Sequence, residues 1–121
     1  MLLIASISGA IAVGLGAFGA HGLKKILSPE MLEVYKTGVL YHFIHTLALV
    51  AVALLLEKAD SNILHWGGYL FFAGILLFSG SLYVLSITGI KVLGAITPFG
   101  GLAFMGGWIC LAVYAYKEYG V

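Results

Sequence analysis

The chain has 121 residues, of which 62% are apolar and 9% are charged, and its 6 basic and 5 acidic side chains nearly balance. Soluble domains average about 45–50% apolar and roughly 25% charged residues, so this chain lacks the polar surface of a soluble domain. A soluble enzyme and a disordered segment are therefore disfavoured, and no basic excess is available to bind nucleic acid. We expect one integral membrane domain over residues 1-121, with the lipid bilayer as its partner.

Four uncharged stretches are long enough to cross a bilayer, which takes about 20 apolar residues in a helix. Every Lys, Asp and Glu lies between these stretches or after the last of them. Short connections place consecutive helices antiparallel, so the predicted fold class is all-α, an integral membrane four-helix bundle in up-down-up-down order. The predicted spans cover residues 2-23, 37-56, 63-87 and 92-116 approximately.

The first connection predicts an amphipathic segment at the membrane interface, at about residues 28-37. Ser28, Pro29 and Glu30 suit an N-cap, a first helical position and an acidic first turn. Gly38 is a candidate bend between this segment and the second span.

The lysines predict the orientation of the bundle. Four of them lie in the first and third connections, and the other two, Lys58 and Lys117, lie on the opposite side. The excess of basic residues in cytoplasmic loops then places both termini outside. The first stretch has no basic residue before Lys24, so we expect a retained span rather than a signal peptide.

The 17 glycines lie mostly inside the spans. Small residues let membrane helices approach closely, so we expect the first, third and fourth helices to pack tightly. The second span, rich in Leu and Val, is expected to face lipid more. Residues 14–19 match G-x-G-x-x-G, but they lie inside an apolar run with no preceding strand, which favours packing over dinucleotide binding.

Polar side chains concentrate near the span ends that meet at the first and third connections, and therefore in one leaflet. The opposite half has few, among them Ser8, with Thr46 near the middle. An ionisable residue inside a membrane is a functional-site hypothesis by default, and its alternative is a neutral histidine hydrogen-bonded to a neighbouring helix. The candidate pocket residues are His21, His42, His45, Ser79, Ser81, Tyr83 and Thr97.

The first functional hypothesis is a small membrane module without enzymatic activity. It would be homo-oligomeric and would use these pocket residues to bind a ligand or to form a channel or transport path. A bundle this rich in glycine encloses little volume, which disfavours transport through a single copy.

Two other hypotheses stay open. His21 with His42 or His45 would form a haem or transition-metal site, since two histidines can ligate haem axially. No Cys or carboxylate lies nearby in the sequence to complete a zinc set, so no metal and no cofactor is predicted.

An intramembrane enzyme would use Ser79 or Ser81 as nucleophile, but no acid is available to orient a histidine base, so no catalytic residue is predicted.

Four motifs in order resemble the domain-of-unknown-function family numbered 423, also catalogued as uncharacterised protein family 0382. They are GAFGAHGL (16–23), YHxxHxLAL (41–49), FSGSLY (78–83) and GxITPxGGxxFxxGW (94–108). The resemblance covers nearly the whole chain. It implies a small four-span protein of the bacterial inner (plasma) membrane, and it implies no established activity and no catalytic residue.

Overall fold

The structure, a computed structural model, describes residues 1–120, which are almost entirely helical and contain no strand. The four main helices follow one another in the order of the predicted spans, and each is long and apolar enough to cross a membrane. The predicted all-α four-helix fold is thus confirmed. The helices are α1 (Leu2–Leu23), α2 (Pro29–Lys58), α3 (Asn62–Thr88) and α4 (Thr97–Tyr119), with a short 3₁₀ helix (Lys91–Ala95) before α4.

Helix α2 begins where the sequence predicts a helix start. Ser28 caps it, its Oγ accepting a hydrogen bond from the backbone N–H of Met31 at 3.2 Å, and Pro29 occupies the first turn. The predicted interfacial segment and the predicted second span form one continuous helix of 30 residues. Gly38 therefore does not bend the helix. Its missing side chain allows α3 to pack closely against α2, because a Cβ at Gly38 would lie 3.0 Å from the Tyr83 ring.

Helices α1 and α3 each contain one π-helical turn, at Gly14–Gly19 and Ile75–Ser79. A π turn interrupts the regular backbone ladder, and a membrane offers no water to its carbonyl groups. Side chains supply the hydrogen bonds here. Tyr35 of α2 donates to the carbonyl of Leu15, and Ser81 donates to the carbonyl of Phe78 at 2.8 Å.

Glycine allows α3 and α4 to approach closely, as predicted. A Cβ at Gly107 would lie 2.6 Å from the Phe71 ring, and one at Gly100 would overlap the backbone of Phe78. The Phe71 ring thus occupies the space of a side chain at Gly107, and the α3 backbone occupies it at Gly100. Phe71 is fully buried in the main apolar core, which also includes residues of α1, α2 and α4.

The expectation that α2 faces lipid more than the other helices is wrong. In their most apolar stretches, α2 and α3 bury 39% of residues, against 17% for α1 and for the segment containing α4. Helix α2 packs against both α1 and α3 and presents polar side chains to both. Helix α1, expected to pack tightly with the third and fourth helices, packs mainly against α2 instead.

Candidate functional site

His42 connects three helices near the middle of α2. Its Nε2 lies 3.0 Å from Ser8 Oγ of α1, and its Nδ1 lies 2.9 Å from the Tyr83 hydroxyl of α3. Ser8 is also joined to Thr46 Oγ1 at 2.6 Å. Tyr83, His42, Ser8 and Thr46 therefore form one hydrogen-bonded chain, called here the His42 chain. Only 4% of His42 is exposed.

His45 lies three residues further along α2 but faces α4. Its Nδ1 donates to the carbonyl of Tyr41 at 2.8 Å, and its Nε2 accepts a hydrogen bond from the indole N–H of Trp108 at 3.0 Å. The ring stacks on Phe104, with 3.5 Å between ring centroids. His42 and His45 thus belong to two separate hydrogen-bonded groups.

The two candidate serines of α3, Ser79 and Ser81, bond to neither histidine. Ser79 Oγ donates to the carbonyl of Gly38 at 2.7 Å, and this tie holds α3 against α2. Ser81 Oγ lies 2.7 Å from Thr97 Oγ1, which joins α3 to the start of α4. Both serines hold helices together, and neither has a base in hydrogen-bond reach, which the intramembrane-enzyme hypothesis requires.

His21 is the one candidate that the structure leaves apart. Its side chain is exposed at the end of α1, and no hydrogen bond within residues 1–120 joins it to another candidate. A haem or metal site shared with His42 or His45 would also have to break existing contacts, because both ring nitrogens of each buried histidine are engaged. In the described part of the chain, no group of three or more His, Cys, Asp and Glu side chains could hold a metal ion.

A crevice of about 460 Å³ lies between α1 and α3, beside the His42 chain. Ser8, His42 and Tyr83 are its polar lining residues, and Gly80 lines it without a side chain. The outer parts of its walls are exposed on the surface that lipid would cover. The walls are apolar and include Ile4, Ile7 and Ile11 of α1 and Phe72, Ile75 and Leu76 of α3.

Three contributors to these polar groups are missing from the sequence-based candidates. Ser8 and Thr46 lie outside the predicted polar leaflet, yet they bond to each other and Ser8 bonds to His42. Trp108 belongs to the fourth motif of the family resemblance but not to the predicted pocket. Thr46 does have a signal in the sequence, since it lies four residues after His42 on α2 and therefore shares a helix face with it.

The chain is similar to known bacterial proteins over nearly its whole length. A family described as "Protein of unknown function (DUF423)" matches residues 15–101. The UPF0382 membrane protein YwdK of Bacillus subtilis is 50% identical over 117 residues, covering 96% of this chain and 95% of that protein. The UPF0382 membrane protein SSP2132 of Staphylococcus saprophyticus is 41% identical over 116 residues, covering 96% of each chain. No solved structure matches.

Proposed function

The chain belongs to the DUF423 family of bacterial membrane proteins, and we propose that it is a membrane-embedded binding protein. The proposed site is the crevice between α1 and α3. The proposed ligand is the hydrocarbon chain of a membrane-soluble molecule, which enters sideways from the bilayer. The observation that carries this proposal is the apolar crevice of about 460 Å³, open on a lipid-facing side. Ligand pockets commonly measure about 300–1,000 Å³.

The lining of the crevice supports an apolar occupant. Most of its lining residues are Ile, Leu and Phe, and its accessible surface is almost wholly apolar. Ser8 and His42 lie at the crevice but are buried and hydrogen-bonded to each other. A charged or strongly polar ligand would have to give up its hydration there without gaining partners, which costs several kcal/mol. A hydrocarbon chain meets no such cost.

The His42 chain supports a crevice that exists before the ligand arrives. His42 bonds to Ser8 on α1 and to Tyr83 on α3, so it sets the separation of the two crevice walls. A preformed site loses less conformational entropy on binding than one that the ligand must order. Binding to a fixed crevice also distinguishes this site from ordinary lipid contact around the bundle.

The same contacts disfavour conduction through a single copy. A path for ions or polar solutes needs polar groups with free bonding capacity. Within residues 1–120, no buried side-chain nitrogen or oxygen lacks a hydrogen-bond partner. The homo-oligomer expected from the sequence stays a prediction, and a helix of a second copy is the rival occupant of the crevice.

Photolabelling in liposomes tests the proposal. A fatty acid and an isoprenoid alcohol, each with a diazirine on the hydrocarbon chain, would be compared as probes. We expect labels concentrated on Ile7, Ile11 and Leu76, which line the crevice. The probe that labels these residues more strongly identifies the type of hydrocarbon chain that binds. Competition by the same compound without the diazirine confirms that the binding is specific.

A filled crevice supplies the matched control. Ile7→Trp places a larger side chain at the crevice, whereas Ile109→Trp makes the same change on the exposed face of α4. We expect Ile7→Trp to weaken labelling about tenfold, which corresponds to about 1.4 kcal/mol, and Ile109→Trp to leave it unchanged. Labels spread evenly over lipid-facing residues would contradict the proposal. Native mass spectrometry that finds a lipid-free oligomer, dissociated by Ile7→Trp, would assign the crevice to a second copy instead.

A further inference from the structure

The two buried histidines, His42 and His45, differ in whether their hydrogen-bond partners can both donate and accept a proton. The partners of His45 have fixed roles, because the Trp108 indole can only donate and the Tyr41 carbonyl can only accept. Nε2 must therefore be unprotonated and Nδ1 must carry the proton. Only this neutral tautomer of His45 satisfies both contacts. A second proton, on Nε2, would point at the indole N–H, which cannot accept a hydrogen bond.

Both partners of His42 are hydroxyl groups, which donate or accept as required. With the proton on Nε2, His42 donates to Ser8 and Tyr83 donates to Nδ1. With the proton on Nδ1, His42 donates to Tyr83 and Ser8 donates to Nε2. With both nitrogens protonated, His42 donates to both oxygens. Each of these three states keeps both hydrogen bonds without moving a heavy atom.

We propose that His42 is a proton-binding site inside the membrane, which takes up and releases its proton through the Tyr83 hydroxyl, whereas His45 is a fixed neutral tie. Tyr83 lies five residues before the end of α3 at Thr88, so the proton enters from that end of the bundle and not through the apolar crevice. In the uptake step a hydronium ion gives a proton to the phenolic oxygen of Tyr83. Tyr83 passes its own hydroxyl proton to Nδ1 of His42 in the same step. A water molecule, a neutral tyrosine and an imidazolium that donates from Nε2 to Ser8 result. The inference does not depend on a ligand in the crevice.

Few titratable groups lie near His42. On α3 the titratable neighbour of His42 is Tyr83. Tyr35 of α2 lies on the far side of Tyr83, with 5.3 Å between the two ring centroids. Helix α1 contributes Ser8, and Thr46 lies behind it. No Asp, Glu, Lys or Arg occurs in residues 1–23, 37–56 or 61–90. The hydroxyl groups of Ser8 and Tyr83 are thus the acceptors for the protons of an imidazolium at His42.

Nitrogen-15 NMR of the imidazole rings, in protein reconstituted in nanodiscs, tests the inference directly. The sample would carry His21→Gln and His65→Gln, which remove the two histidines outside the buried groups and leave both buried sites native. Spectra recorded between about pH 8 and about pH 5 span the range in which histidine normally changes charge. We expect the His42 nitrogens to exchange tautomers and become protonated, and the His45 nitrogens to keep one protonated Nδ1 and one unprotonated Nε2 throughout.

Two further variants test the cause of this difference. Trp108→Phe removes the fixed donor, so we expect His45 to begin to take up a proton. Tyr83→Phe removes the hydroxyl through which His42 exchanges, so we expect slower exchange at His42 with no change at His45. Tyr41→Phe is the matched control, because His45 bonds to the carbonyl of Tyr41 and not to its hydroxyl.

Two outcomes would overturn the inference. The first is a His42 that holds a single neutral tautomer over the whole pH range, as His45 is expected to do. The second is a His45 that takes up a proton in the presence of Trp108. Because both histidines are measured in the same folded sample, neither outcome can be attributed to a failure of the protein to fold.

Discussion

Trp108 and His45 satisfy each other across the interface between α2 and α4, the indole N–H donating to Nε2 at 3.0 Å. Trp108 is 44% exposed near the middle of α4, where hydrocarbon would surround it. Lipid chains cannot accept an indole proton. His45 supplies the acceptor for the Trp108 N–H at this depth, and we interpret its role as structural.

The first prediction concerns this pair. His45→Leu leaves the Trp108 N–H without a partner, and we expect it to destabilise the bundle by about 1–2 kcal/mol. The measurement is thermal aggregation in mild detergent. In the double variant with Trp108→Phe no donor is left unsatisfied, so the second change should add little to the first. Equal and additive losses from the two changes would contradict the pairing.

The second prediction compares two adjacent glycines of α4. A Cβ at Gly100 would overlap the backbone of Phe78, whereas a Cβ at Gly101 meets only the edge of the Phe78 ring at 3.9 Å. Backbone cannot move aside as a flexible side chain can, so we expect Gly100→Ala to cost about 1–3 kcal/mol. Gly101→Ala should be close to neutral. Unfolding in mixed detergent micelles measures both, and similar losses would show that α3 and α4 pack in another way.

The third prediction concerns the π turn of α1. Tyr35→Phe removes the hydroxyl that donates to the Leu15 carbonyl. We expect a loss of about 0.5–1.5 kcal/mol, the usual contribution of one hydrogen bond. Tyr116→Phe is the control, since Tyr116 is exposed on α4. Equal stability of the two variants, measured by thermal aggregation, would mean that the carbonyl finds another partner.

The fourth prediction concerns the serines of α3. Ser79 donates to the Gly38 carbonyl, and Ser81 bonds to Thr97 and Phe78, so neither has a histidine to activate it. We expect no covalent labelling of Ser79 or Ser81 by a fluorophosphonate in the reconstituted protein. Ser79→Ala and Ser81→Ala should each cost about 1 kcal/mol of stability. Stoichiometric labelling that one of these variants abolishes would restore the intramembrane-enzyme hypothesis.

Some features were predictable because they depend on neighbours along the chain. The start of α2 at Ser28 and Pro29 is one, since capping involves residues within a single turn. Glycine density also indicated the close packing of α3 and α4, although the glycine-rich α1 packs mainly against α2. The lipid exposure of α2 was predicted wrongly. Its Leu-rich and Val-rich stretch looks the same whether lipid or a neighbouring helix covers it, because the two are equally apolar.

Sequence alone determined that this chain crosses a membrane four times, because the thickness of the hydrocarbon region requires long uncharged stretches, and charges mark where each must end. It also placed His42 and His45 inside the bilayer. Only the tertiary structure decided that Ser8 and Tyr83 meet His42 while Trp108 meets His45. The physical reason is that these contacts depend on the depth and rotation of each helix against the next. Helical periodicity orders the residues around one helix, but it leaves that relative depth and rotation undetermined.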